Sequence, residues 1–403
     1  MKGLRKQIAR LGVIAAALLS GGCFGPLYES LPPVRNQCVR IGVILPLSGP
    51  NAPFGRRLCD GIRLAAQELN NSRGIGGYPV ELLIRDNRSD PAESLRLARE
   101  LADEGVRGLL PCYDSREVAA LKEFLTERAI PAMTPVATDD SLAGVPTLFQ
   151  TVFTNREQAK VLAGYAWYWR KLLRLGVMID TTPGVEYGRD IARECGRVFT
   201  SLGGSVVGSV EFRSDMEDFT PQIRELLVAG PQAVLVPAET RTAGRIVRQL
   251  RECGFRGVIL GPDSWDEHEF LEECGPFPGD CVFTAFYARE FAQAENDAFK
   301  AAFARTFHSN PGGCEAMGYD ALRLLAIGLE GADTPNDFIR NLRELRKLPG
   351  AAADYTCLDE THFDRTIFLK TLRSAPPNRK FAIPRLSRSF PVSKIDRLEI
   401  VAE

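Results

Sequence analysis

The chain has 403 residues, 45% apolar and 25% charged, with 50 Lys and Arg against 51 Asp and Glu. That length exceeds what one hydrophobic core usually supports, so two lobes are expected, and the composition excludes disordered, collagen-like and polytopic membrane proteins. A net charge of −1 with no block of like charges gives no electrostatic case for a nucleic-acid partner.

At the N-terminus, Lys2, Arg5, Lys6 and Arg10 precede an apolar run over 11–19, then Ser20, Gly21, Gly22 and Cys23. A basic start, a short apolar stretch and small residues before a cysteine predict a lipoprotein signal peptide over 1–22, with Cys23 acylated after cleavage. Ser20 stands where a lipobox usually has leucine. The run is about half of the ~20 residues that span a bilayer, so the lipid on Cys23 is the expected membrane contact, on the periplasmic or extracytoplasmic face. Residues 23–37, rich in Pro and polar side chains, read as a tether. Export implies an oxidising compartment. Ten cysteines less Cys23 leave nine, so at least one is unpaired, and Cys274 and Cys281, flanking Gly-Pro-Phe-Pro-Gly-Asp, are the best local candidates for a loop-closing disulfide. There is no CxxC, and His268, His308 and His362 lie far apart, so neither a metal nor another cofactor is expected.

From Val39 onward short apolar runs alternate with amphipathic stretches. Strands are predicted at 40–45, 80–84, 108–110 and 132–133, with helices containing 58–69, 91–103 and 118–125. The rhythm restarts after Phe153: helix 159–172, strand 175–179, helix 189–202, strand 206–212, helix 220–228, strand 233–236, helix 242–253 and strand 258–260. Such alternation implies an α/β protein with two doubly wound parallel sheets. Ligands of open parallel sheets bind beyond the carboxyl ends of the strands, so the loops after Leu45, Leu110, Met133, Ile179, Val236 and Leu260 are where function is expected.

Read in order, those loops carry a family signature. The pieces are RIGVILPLSGP over 40–50, Phe54-Gly55, GIRLAAQELN over 61–70, GIGG over 74–77, Asp86 with Asp90-Pro91-Ala92, and PAMTPVAT over 131–138. Tyr187-Gly188, Gly261-Pro262-Asp263 and Gly318-Tyr319-Asp320-Ala321 complete the set. Over about 38–373 the chain resembles the leucine/isoleucine/valine-type periplasmic binding proteins, the substrate-binding components of ABC importers. The resemblance implies the type I periplasmic binding protein fold, with a ligand cleft between lobes joined by a three-crossover hinge. It divides the chain into an N-terminal lobe of 38–153 plus 284–345, a C-terminal lobe of 154–283 plus 346–373, and an extension over 374–403 without an assigned role. It also implies the site. Ser115, Val136, Ala137 and Thr138 fall at a ligand α-carboxylate, and Tyr187 and Glu239 on the opposing face. Asp263 falls at an α-ammonium, and Phe54 at the side-chain end of the cleft.

Each of these residues has a plainer explanation. Ser115 and Thr138 are equally suited to cap the helices that follow them, Asp263 to an ordinary turn, and Tyr187 to packing at a helix start. The sequence also departs from the family. Asp114 and Arg116 flank Ser115, Glu239 stands where an aromatic or small residue is common, and the disulfide that some relatives carry at the positions of Ser89 and Asp114 cannot form. These departures point to a polar or cationic ligand side chain. Enzyme signatures such as GxSxG, HExxH and GxxxxGK[ST] are absent. The expected function is extracytoplasmic capture of a small amino acid or amine-bearing carboxylate and its delivery to an ABC permease. The alternative is a lipid-anchored ligand sensor or regulator of a partner protein on the same fold.

Overall fold

A computed structural model describes residues 30–34, 37–111, 113–276, 278–357, 361–373 and 383–391. The signal peptide expected over 1–22, with Cys23 and Cys112, lies outside the described residues. The first sheet has five strands: β1 (Val39–Leu45), β2 (Val80–Asp86), β3 (Gly108–Pro111), β4 (Ala132–Thr134) and β5 (Leu148–Gln150). They are ordered β2-β1-β3-β4-β5, and all pairs are parallel. A central parallel strand is covered on both faces. Accordingly β1 reads VRIGVIL and buries every residue but Arg40. Ile41 and Val43 face one core, and Ile44 with Leu109 faces a second on the other side of the sheet.

The second sheet takes β6 (Arg174–Asp180), β7 (Ser205–Phe212), β8 (Ala233–Leu235), β9 (Val258–Gly261) and β10 (Cys281–Ala285) as its parallel part. β11 (Leu348–Pro349), β12 (Asp354–Cys357) and β13 (Phe363–Asp364) form a small separate sheet. β14 (Thr366–Arg373) then adds antiparallel to β10, and β15 (Ile383–Pro391) adds antiparallel to β14. Part of the extension at 374–403 is therefore an edge strand of the second sheet.

After β10 the chain returns to the first lobe. Helix Gly313–Leu329 packs against helix Ala52–Ser72 with backbones almost touching. A Cβ on Gly61 would lie 1.9 Å from the Glu315 carbonyl oxygen, and one on Gly318 would lie 2.4 Å from that of Leu58. Both glycines are required by this approach. The 346–373 stretch does not lie wholly in the C-terminal lobe, as the sequence suggested. Ala351, Ala352, Ala353, Tyr355 and Phe363 are buried in the first lobe's core, because Asp320 fixes that turn by accepting N–H bonds from Ala351 and Ala352 at 2.7 and 2.8 Å. The tether reading at 23–37 also needs correction. Leu31 is buried in the same core, and its N–H donates to the Asp333 carbonyl at 2.7 Å.

Three crossovers link the lobes, between β5 and the Asn155–Gly164 helix, after β10, and at Arg365 ahead of β14. Arg365, only 2% exposed, ties them together. Its guanidinium donates to the Thr151 carbonyl at 2.9 Å on the first crossover and to the Phe286 carbonyl on the second.

Smaller differences have local causes. The helix expected over 118–125 breaks into Ser115–Ala119 and Lys122–Arg128, and that expected over 159–172 starts at Asn155 and ends in a π turn over Tyr165–Trp169. Thr154 sets the earlier start through a capping box with Glu157. The Cys274–Cys281 disulfide is absent. Both are free, buried thiols, Cys281 donating to the Pro278 carbonyl at 3.2 Å and Cys274 to nearby carbonyls, and burial pushes each up to about 12.

Candidate functional site

Between the lobes lies a cleft of about 410 Å³. Five of the six expected loops line it, those after β3, β4, β6, β8 and β9. The loop after β1 does not. Phe54, which follows it, is buried and stacks on Tyr113 with ring centroids 4.7 Å apart, so Tyr113 rather than Phe54 forms the wall. Ala137 also stays out of the cleft, buried in the core beneath β4. Ser115, Val136, Thr138, Tyr187, Glu239 and Asp263 are brought together there.

On the first lobe, Asp114 caps the Ser115–Ala119 helix, accepting the Arg116 N–H at 2.8 Å. The capping role considered for Ser115 is thus taken, and its hydroxyl is left for the cleft. Ser115 Oγ accepts the Thr138 N–H at 3.2 Å, so the two groups expected at a carboxylate stand side by side. Thr138 is no cap either, since Asp139 caps the 3-10 turn Asp140–Gly144 that follows it, accepting the Ser141 N–H at 2.8 Å. Behind Ser115, the buried Glu117 accepts from Asn87 at 2.9 Å, and burial pushes its carboxyl up to about 7. Tyr113 adopts φ 99°, a backbone region costly for any side chain with a Cβ, and in that conformation its ring stacks on Phe54.

On the second lobe, Asp263 opens a short 3-10 turn after β9, with its carboxylate turned into the cleft. The Tyr187 hydroxyl donates to Asp263 Oδ1 at 2.7 Å, and the Asp263 N–H donates to Gln158 Oε1 at 3.2 Å. Burial pushes the Asp263 carboxyl up to about 6, against the lowering effect of those bonds. Glu239 projects into the open cleft with its side chain exposed, yet the protein crowded around it, with Asp114 close by, holds its carboxyl up to about 7.

Other contributors escaped the sequence reading. Glu267 pairs with Arg57 at 2.7 Å and accepts the Cys314 thiol at 3.5 Å, and burial still pushes it up to about 7. Asp266 receives Lys370 Nζ on both oxygens at 2.7 Å. Phe286 and Cys314 close the cleft from the second crossover and the helix beyond it. Glu267 and Asp266 sit in a loop that the strand pattern did flag. Phe286, Cys314, Arg57 and Lys370 come from segments without such a signal.

This is a site of hydroxyls, amides and carboxylates presented by two facing sheets, an arrangement that grips a small polar molecule. The family model described as periplasmic binding protein matches residues 38–368. The chain belongs to that family. As a periplasmic binding protein it acts outside the cytoplasm, and it holds a substrate rather than converting one. It is 25% identical over 301 residues to Leu/Ile/Val-binding protein homolog 3 of Brucella melitensis, covering 74% of this chain and 80% of that one. It is 24% identical to the leucine-, isoleucine-, valine-, threonine- and alanine-binding protein of Pseudomonas aeruginosa, covering 82% and 86%. Among solved structures, the branched-chain amino acid transporter substrate binding protein LivJ from Streptococcus pneumoniae, in complex with isoleucine, superposes with a TM-score of 0.76 at 23% identity over 86% of this chain and 99% of that one. At that identity the likeness is one of fold.

Proposed function

We propose that this periplasmic binding protein captures a small amine-bearing carboxylate of the amino-acid type by hinge closure and passes it to an ABC permease. The observation that carries the reading is the polarity of the cleft. The neutral Ser115 hydroxyl, whose oxygen takes the Thr138 N–H and whose own proton is left to donate, lies on one lobe, and the Asp263 carboxylate beside Tyr187 lies on the other. A hydroxyl donor suits an α-carboxylate, and a buried ammonium requires an acid partner. The Brucella and Pseudomonas relatives, whose names give amino acids as ligands, point the same way.

The test is the melting temperature of ligand-stripped protein against a panel of amino acids and amines. A ligand at a hundred times its Kd should add ~2.7 kcal/mol, a rise of a few degrees for lobes of this size. A panel without any shift would sink the amino-acid reading and favour a role with a protein partner. Anchoring through lipid on Cys23 is part of the same proposal. Cys23→Ser should leave the protein folded but move it from the membrane pellet to the soluble extracytoplasmic fraction, and a variant that still pellets would refute the anchor.

A further inference from the structure

The cleft is lined by more acids than bases, and the protein itself answers most of those acids. Asp266 has Lys370 and Glu267 has Arg57. At the rim, Glu186 pairs with Arg189 and Asp190 with Arg193, while Asp139 accepts the Ser141 N–H at 2.8 Å. Arg116 gives its charge to Asp114 at 2.6 Å. Two lining carboxylates have neither a cationic partner nor a helix end that they cap. Asp263 has the neutral Tyr187 hydroxyl, and Glu239 makes no capping bond to the helix it precedes, nor any hydrogen bond or ion pair of its carboxylate among the described residues.

Asp263 suffices for the ammonium of a simple zwitterion. Glu239 would then be enclosed, uncompensated, when the lobes close over an amino acid with an uncharged side chain, and it must either stay ionised without a partner or take up a proton, each a cost that an arriving cation removes. The count does not depend on the partner Arg116 chooses, because moving it to Glu239 strands Asp114. From the amine-bearing carboxylate reading, on which this step rests, we infer that the ligand carries a second positive charge: an α-amino acid with a cationic side chain, whose cation is received by Glu239 with Asp114 beside it. A carboxyl held up to about 7 by its surroundings and by Asp114 suits this role, since an arriving cation favours its ionised form.

Calorimetric titration of the ligand-stripped protein with L-lysine, L-arginine, L-leucine, L-glutamate and 1,5-diaminopentane tests it. Lysine or arginine should bind at least a hundredfold tighter than leucine, with glutamate and the diamine weak. Glu239→Gln, of equal size and facing the open cleft, should weaken the preferred basic amino acid at least tenfold while leucine is unchanged or tighter. Leucine binding tightest would overturn the cationic inference and leave the parent reading standing. Binding of no amino acid, or a diamine that matches lysine, would overturn the parent reading as well. A Glu239→Gln variant that binds lysine like the wild type would remove Glu239 from the role, and the comparison of ligands on the unaltered protein stands without any variant.

Discussion

At the scale of single residues, Asp263 is where burial and charge meet. Tyr187 and Gln158 hold it on its own side, the charge of Asp266 adds to the effect of burial, and a ligand ammonium would supply the missing cation. Asp263→Ala should cost about 3–5 kcal/mol of binding, a hundredfold or more in affinity, because it leaves that ammonium buried and unpartnered. The pH dependence has a definite sign. The folded carboxyl is raised to about 6, so ligand affinity is full above that value and falls as pH drops through it. Stability of the ligand-free protein moves the other way, since a raised acid binds its proton more readily folded than unfolded. Ligand titrations and urea denaturation of the ligand-free protein, each at pH 5 and 7.5 on the wild type and Asp263→Ala, check the two claims, and a variant with the wild type's affinity would take Asp263 out of the site.

At the scale of elements, the site depends on helices whose ends and faces were only partly visible in the sequence. Asp114 rather than Ser115 caps its helix, which turns a residue that resembled a disturbance beside the ligand into the one that frees Ser115. The close approaches of Gly61 to Glu315 and of Gly318 to Leu58 seat the returning helix Gly313–Leu329, and with it Cys314 against the cleft. Gly61→Ala forces a methyl into the Glu315 backbone and should destabilise the protein by about 1–3 kcal/mol. Urea denaturation should show a lower midpoint with an unchanged slope, and an unchanged midpoint would mean the two helices separate without cost.

At the scale of the whole molecule, the hinge is held by one buried guanidinium. Arg365 reaches carbonyls on the first two crossovers from its place on the third, with Phe153, Phe286 and Tyr355 rings around it. Its charge is stabilised by carbonyl dipoles and aromatic faces, which direct all three linkers to one point. Arg365→Met keeps the apolar reach but leaves the Thr151 and Phe286 carbonyls without this donor, so at least about 2 kcal/mol should be lost. A variant as stable as the wild type in denaturant would show that the crossovers do not need this tie.

Eight of the ten parallel strands were legible, all but β5 and β10, and the clearest are those covered on both faces and apolar along their length, as RIGVIL over 40–45 and the 258–260 run are. The loops after those strands were legible for the same reason, whereas Ser115, Thr138, Tyr187 and Asp263 within them were expected only from the family resemblance. What the tertiary structure alone decided is partnership. Local pattern carries no information on which side chain faces which across a cleft. It could not place Tyr113 in front of Phe54, Arg57 on Glu267, Lys370 on Asp266 or Arg365 across the hinge, nor keep Cys274 from Cys281. Those pairings join residues up to 214 positions apart. They depend on how two separately folded sheets meet, and that meeting is set by the crossovers and by packing rather than by any local stretch of chain.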